Sequence, residues 1–247
     1  MRFDRKTISA LVAEFICTFI FILTLCGASL SEKLSDAKLG SVGAGISTAF
    51  VAVGIIYAFG PYSGAHFNPA VTAGAIVAGK IDPILGALYI VLQLLAGIAA
   101  VAAWSGFYPA SKVAEYWVLS PPSQSNVLGA LGMEFLLTFI LVIVIFNTAM
   151  APRLRPAKGD IESSGDDISL IERNHQRMNF APIAIGLTLG FLCFLGGPIS
   201  GGAFNPARAT APAVLTRDFS NLWIYWVGDL AGGVAAALLG RFVFAQS

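Results

Sequence analysis

The tetrapeptide Phe-Asn-Pro-Ala occurs twice, at 67–70 and at 204–207, each time between long apolar runs. Asn followed by Pro reads as a helix start. The Asn side chain caps free backbone N–H groups, and Pro occupies a first turn where its missing N–H would have no partner anyway. The helices opened this way, Pro69–Gly79 and Pro206–Leu215, are about 10 residues long, half of the ~20 that a bilayer core demands. The chain is therefore expected to carry two half-length helices whose N-termini end inside a membrane protein.

Only 12% of the 247 residues are charged and 56% are hydrophobic, whereas a soluble domain averages about 25% charged. A net charge of +1 offers no basic face for nucleic acid. Six stretches are long enough to cross a bilayer: Ile8–Leu30, Gly40–Gly60, Pro83–Phe107, Asn126–Met150, Phe180–Ser200 and Asn221–Phe244. Backbone polar groups in lipid must be paired within the segment, so these are helices. The first run is longer than the ~7–15 residues of a signal-peptide core, so it is read as a retained span.

The two halves repeat. Glu14-Phe15 and Thr18-Phe19 in the first span match Glu134-Phe135 and Thr138-Phe139 in the fourth. Ser63-Gly-Ala-His-Phe-Asn-Pro-Ala matches Ser200-Gly-Gly-Ala-Phe-Asn-Pro-Ala. The expected fold is an all-α membrane protein with six transmembrane helices and two re-entrant half-helices, forming one domain over 1–247. Repeat 1 covers about 7–107 and repeat 2 about 126–244. Three spans per repeat invert the second copy relative to the first, and such repeats place broken helices at the bilayer midplane. Small residues at four-residue spacing, Gly228, Gly232, Ala236 and Gly240 on the last span and Gly186 and Gly190 on the fifth, mark close helix contacts.

Arg2, Arg5, Lys6, Lys80, Arg153, Arg155, Lys158, Arg173, Arg177 and Arg241 fall on the side of the termini, against Lys33, Lys38, Lys112 and Arg217 on the other. The positive-inside rule then puts both termini in the cytoplasm and makes 151–179 a solvated cytoplasmic connector.

Two half-helices meeting tip to tip would point about half a positive charge each at their junction. Asn68 and Asn205 can cap these helices and still offer a side-chain N–H. Such a junction repels cations and protons, and an anion would have to shed its water there. The best guest is a neutral molecule with lone pairs, water above all. Arg208, nearly one helical turn beyond Asn205, is expected to face the same conduit; the alternative is a clamp on a loop carbonyl. Glu14 and Glu134 sit at equivalent places. They are read as acceptors for the backbone of the re-entrant loops rather than as a proton relay. His66 is read as a loop-fixing or pore-wall residue. Asp229 has no visible counterpart and no assigned role. Cys17, Cys26 and Cys193 lie in or near apolar runs, without Cys-x-x-Cys or Cys/His spacing, and read as buried thiols with no disulfide or metal. Neither a nucleophile–base pair nor a phosphate loop suggests an enzyme, and no cofactor is expected.

Ser63-Gly-Ala-His-Phe-Asn-Pro-Ala-Val-Thr together with Asn205-Pro-Ala-Arg, in a six-span chain, resembles the major intrinsic protein family of aquaporins and aquaglyceroporins. The resemblance covers nearly the whole chain. It implies a right-handed bundle, one pore per subunit lined by Asn68, Pro69, Ala70, Asn205, Pro206 and Ala207, and a homotetramer in the bilayer. It also implies a selectivity filter at Thr48, Cys193, Gly202 and Arg208. Strict water channels usually carry Phe and His where this chain has Thr48 and Cys193, so the filter is wider here. Glycerol facilitators typically carry Asp where this chain has Ala209, while Ala213, Tyr225 and Trp226 resemble the water-selective pattern. The expectation is a passive water channel that excludes protons and ions and leaks small neutral solutes. The alternatives are a broader facilitator of ammonia, hydrogen peroxide, urea or glycerol, a proton-coupled transporter built on Glu14, Glu134 and Asp229, and a junctional scaffold with little flux.

Overall fold

The computed structural model describes residues 4–34, 40–109, 112, 116–122, 126–150 and 166–244. Eight α-helices of six or more residues organise them: α1 (Arg5–Leu34), α2 (Gly40–Ser63), α3 (Pro69–Val77), α4 (Pro83–Ser105), α5 (Val127–Ile145), α6 (Asp166–Ser200), α7 (Pro206–Thr216) and α8 (Leu222–Leu239). A π-helical turn extends α5 over Phe146–Met150, and another extends α8 over Gly240–Phe244. Among the described residues there is no strand. Six of the helices are long and apolar enough to cross a membrane, and α3 and α7 are the two short ones.

Local chemistry sets several boundaries. Asp82 caps α4, accepting from the N–H groups of Ile84 (3.0 Å) and Leu85 (3.1 Å), with Pro83 in the first turn. Asn126 caps α5 through Gly129 N–H. Helix α3 stops at Ala78, before Gly79 turns left-handed at φ +69°.

One boundary differs from the expectation. The connector expected over 151–179 lies outside the described residues as far as 165, and from Asp166 onward it is helix continuous with the fifth span. No Gly or Pro interrupts the sequence between Asp166 and Pro182, so nothing in the backbone chemistry stops the helix there. Arg2, Lys38, Arg153, Arg155 and Lys158 also lie outside the described residues.

Packing follows the repeat. Helix α1 packs on α2 and α4, as α5 packs on α6 and α8; α2 lies against α6 across the centre. Each half-helix crosses over, α3 against α8 and α7 against α4, which ties the repeats together. Glycines permit the closest approaches. A Cβ at Gly190 would stand 2.7 Å from Gly45 O, and one at Gly45 would stand 2.7 Å from Gly190 O. Large apolar side chains such as Phe50, Leu128, Leu187 and Phe191 face outward. Thr18, Thr48, Thr72, Gln93, Thr138 and the carboxyl-bearing Glu14, Glu134 and Asp229 are fully buried. An apolar outer face, with these polar side chains turned inward among an apolar core, suits an integral, multi-pass membrane protein.

Candidate functional site

The two Asn-Pro-Ala motifs meet at the centre of the molecule. Asn68 is extended (φ −154°, ψ 120°), and its Oδ1 accepts from Ala70 N–H at 2.8 Å, capping α3. Asn205 repeats this for α7 (φ −158°, ψ 104°), accepting from Ala207 N–H at 3.0 Å. Each side-chain NH2 then reaches across. Asn68 Nδ2 donates to Phe204 O at 2.6 Å, and Asn205 Nδ2 donates to Phe67 O at 2.9 Å. Caps and cross-links thus join both half-helix tips. An amide nitrogen carries two hydrogens, so each Asn keeps one beyond its cross-link. The cross-links are invisible in the sequence, because they rest on Phe67 and Phe204 adopting left-handed backbone (φ +37° and +35°). Bulky residues rarely do that.

A buried carboxyl group holds each loop. Glu14 accepts from the N–H of His66 (3.2 Å) and of Phe67, and from Gln93 Nε2 (2.7 Å). Glu134 accepts from the N–H of Ala203 (3.0 Å) and Phe204 (2.7 Å), and from the Ser200 hydroxyl (2.5 Å). Further contacts follow the same symmetry. Tyr89 Oη donates to Ser63 O at 3.1 Å, and Tyr225 Oη donates to Ser200 O at 2.7 Å. His66 Nδ1 lies 3.2 Å from Thr72 Oγ1, and its ring meets Tyr89 edge-on at 5.6 Å. The sequence reading missed Tyr89 and Gln93, and it named Tyr225 without its bond to the loop. The available signal was the spacing: Tyr89 and Gln93, like Tyr225 and Asp229, stand four apart in the last span of each repeat. Asp229 therefore has a counterpart after all, Gln93, disguised because one is an amide and the other a carboxyl.

The four expected filter residues fall into two bonded pairs. Cys193 Sγ donates to Thr48 Oγ1 at 3.4 Å, and Thr48 Oγ1 donates to Ala44 O at 2.7 Å. Arg208 Nη1 donates to Gly202 O, so the clamp reading of Arg208 describes one of its five N–H donors. Gly202 is left-handed (φ +60°), and a Cβ there would stand 3.2 Å from Gly197 N.

A cavity of about 480 Å³ leads to one side of the joint. It runs from Tyr57, Met150 and Asn179 at its outer end to His66, Phe67 and Asn68, between α2, α5 and α6. Tyr57 Oη bonds Asn179 O at 2.7 Å beside that outer end. On α6 the cavity lining reaches Leu189, and Cys193 lies one turn further, ~6 Å along the helix. Thr48, Cys193, Gly202 and Arg208 do not line this cavity. Among the described residues no cluster of three His, Cys, Asp or Glu could hold a metal ion.

Comparison with known proteins gives a consistent result. Residues 3–163 and 168–239 match the family model described as "Major intrinsic protein". A Dictyostelium discoideum protein named Aquaporin-B is 40% identical over 243 residues, covering 95% of this chain and 83% of that one. The "Probable aquaporin TIP2-2" of Arabidopsis thaliana is 35% identical over 256 residues, covering 99% and 91%. Among solved structures, the X-ray structure of the aquaglyceroporin from Plasmodium falciparum superposes with a TM-score of 0.79 at 20% identity, over 96% of this chain and 97% of that one. At that identity the likeness speaks for the fold.

Proposed function

Since the chain belongs to the major intrinsic protein family, and so to a family of channels for water or small solutes, we propose that it is a passive water channel that excludes protons and ions and also passes small neutral solutes. The observation that carries this reading is the joint itself. Two capped half-helices touch at their N-termini, each bringing about half a positive charge, and each Asn retains one N–H beyond its cross-link. A lone-pair donor such as water can accept those hydrogens, while a cation meets only positive ends. Pro69, Ala70, Pro206 and Ala207 form the first turns that aim these N-termini.

Selectivity follows from the second group. Thr48 and Cys193 are small, so the constriction they form with Gly202 and Arg208 suits molecules somewhat wider than water, such as ammonia or urea. Ala209 after Arg208 leaves no carboxylate there to bind a polyol's hydroxyls. A proton-coupled transporter would need carboxylates free to load and unload. Glu14 and Glu134 instead serve backbone N–H groups, which favours passive flux. We place both termini in the cytoplasm on the strength of Arg5, Lys6, Lys80, Arg173, Arg177 and Arg241 against Lys33, Lys112 and Arg217. The outward apolar faces, including Phe50, Phe191 and Trp223, suit both lipid and the helix contacts of a homotetramer.

Stopped-flow light scattering on reconstituted vesicles, with water, ammonia, urea and glycerol compared in turn, tests the reading. Water and ammonia are expected to move well above empty-lipid rates and glycerol least. Glycerol outpacing water would reverse the assignment, and flux that requires a proton gradient would end the passive reading.

A further inference from the structure

Asp229 is a fully buried carboxyl group for which the channel reading has no use. Its Oδ1 accepts from Thr138 Oγ1 at 3.3 Å, whereas its Oδ2 is buried with no hydrogen-bond partner while it can only accept. The register of the repeat is fixed by the tyrosines. Tyr89 on α4 and Tyr225 on α8 bond the matching Ser63 and Ser200 carbonyls, so Gln93 and Asp229, four residues beyond, are equivalent positions.

In the first repeat, Glu14 Oε1 accepts both from Phe67 N–H and from the Gln93 amide. In the second, the equivalent oxygen is Glu134 Oε2, which accepts from Phe204 N–H. The other oxygen, Oε1, is taken up by Ser200 and Ala203. Oε2 therefore has a lone pair to spare where Gln93 would have donated. Asp229 lies beside Glu134: Thr138, one turn further along α5, bonds its Oδ1, and a Cβ at the preceding Gly228 would stand 2.9 Å from Glu134 Cβ. Two carboxylates would offer each other only acceptor oxygens, and like charges in a buried site repel.

We propose that Asp229 is a neutral carboxylic acid whose Oδ2–H donates to Glu134, supplying with a proton the hydrogen bond that Gln93 supplies with an amide in the first repeat. Full burial and the neighbouring Glu134 on α5 favour the neutral form, while the Thr138 hydroxyl on α5 and the positive Arg208 on α7 act against it; Tyr225 lies one turn back on α8 itself. The packed half-helix α3 carries no titratable residue. The bond fixes the Glu134 side chain. Glu134 fixes the Ala203 and Phe204 N–H groups, and Phe204 O receives Asn68. Asp229 is thus a positioning residue for the joint.

Infrared spectroscopy of the full chain in vesicles at neutral pH, with isotope-labelled aspartate, tests this without reference to any transported solute. Asp229 is the one buried aspartate among the residues whose side chains are described. The expected result is a protonated-acid carbonyl band that shifts with the label and is missing from Asp229→Asn. If labelled protein shows no acid band, the proposal is overturned, and labelled wild type alone decides should the variant misfold. A second readout separates donor from filler. Asp229→Asn, which restores an N–H donor, keeps water permeability per folded channel within about twofold, while Asp229→Leu lowers it about tenfold, the scale of a buried bond left unmade. Equal permeability in both variants, high or low, contradicts the donor role.

Discussion

The first re-entrant loop, Gly64–Asn68, and the second, Gly201–Asn205, end in the same geometry but reach it with different parts. Both put a Phe in left-handed backbone, present its carbonyl to the opposite Asn and hang two N–H groups on a buried glutamate. The first loop spends Ala65 at a left-handed position (φ +48°), and an amide, Gln93, backs its glutamate. The second has Gly202 at the matching position (φ +60°) and the Ser200 hydroxyl on its glutamate, with a carboxyl, Asp229, where the first repeat has Gln93. The joint constrains backbone carbonyls and helix tips, so chemistry behind it is free to diverge where a donor remains a donor. The half-helix that follows the second loop also carries Arg208, whose guanidinium holds that loop's Gly202 carbonyl. The difference therefore falls where selectivity is proposed.

Removing the glutamates is the most severe test of this equivalence. Glu14→Ala and Glu134→Ala each orphan two buried backbone N–H groups, at about 1–3 kcal/mol per group. Both variants are expected to lose most of their folded yield, measured by size-exclusion profile and melting in detergent. If one half tolerates the change, the loops are not equivalent supports. Next come Asn68→Ala and Asn205→Ala. Each loses a cap worth about 1 kcal/mol and a cross-link worth about 1 kcal/mol, so the two should lower stability by similar amounts and slow water flux alike. A large asymmetry between them would break the symmetric reading of the joint.

Smaller effects probe where the loops differ. Gly202→Ala forces a Cβ into left-handed backbone and against Gly197 N, costing about 1–2 kcal/mol, and should also shift the Arg208 clamp and alter solute selectivity. Ala65→Gly is the reverse exchange, and relief of strain should make it neutral or stabilising by melting temperature, up to about 1 kcal/mol. The smallest contrast lies at the last helix of each repeat. Asp82 caps α4 with two hydrogen bonds, whereas Asn221 makes no side-chain cap bond on α8. Asp82→Ala should cost about 1 kcal/mol and Asn221→Ala close to nothing in the same melting assay.

The sequence carried the outline of this molecule because the strongest rules are local. Asn then Pro opens a helix, run length counts spans, and the Glu14 and Glu134 match aligns the halves. It carried less where a contact depends on backbone that residue type does not dictate. Nothing about Phe67 or Phe204 announces a positive φ, so the cross-links between the tips stayed hidden. The match of Gln93 to Asp229 escaped because identity matching cannot see that an amide and a carboxylic acid can make the same hydrogen bond. The start of α6 at Asp166 escaped because the charge of the 151–179 stretch was read as solvation, while its lack of Gly and Pro from 166 onward permits helix.

Water and proton flux measured together, in the same vesicles, test the central claim most directly. With an internal pH dye and an osmotic step, the joined N-termini predict rapid shrinkage at a proton leak equal to that of empty lipid, and an Arg208→Val channel should show where any residual barrier lies. Proton flux that rises in step with water flux through the unaltered chain, or shrinkage no faster than protein-free vesicles, would contradict it.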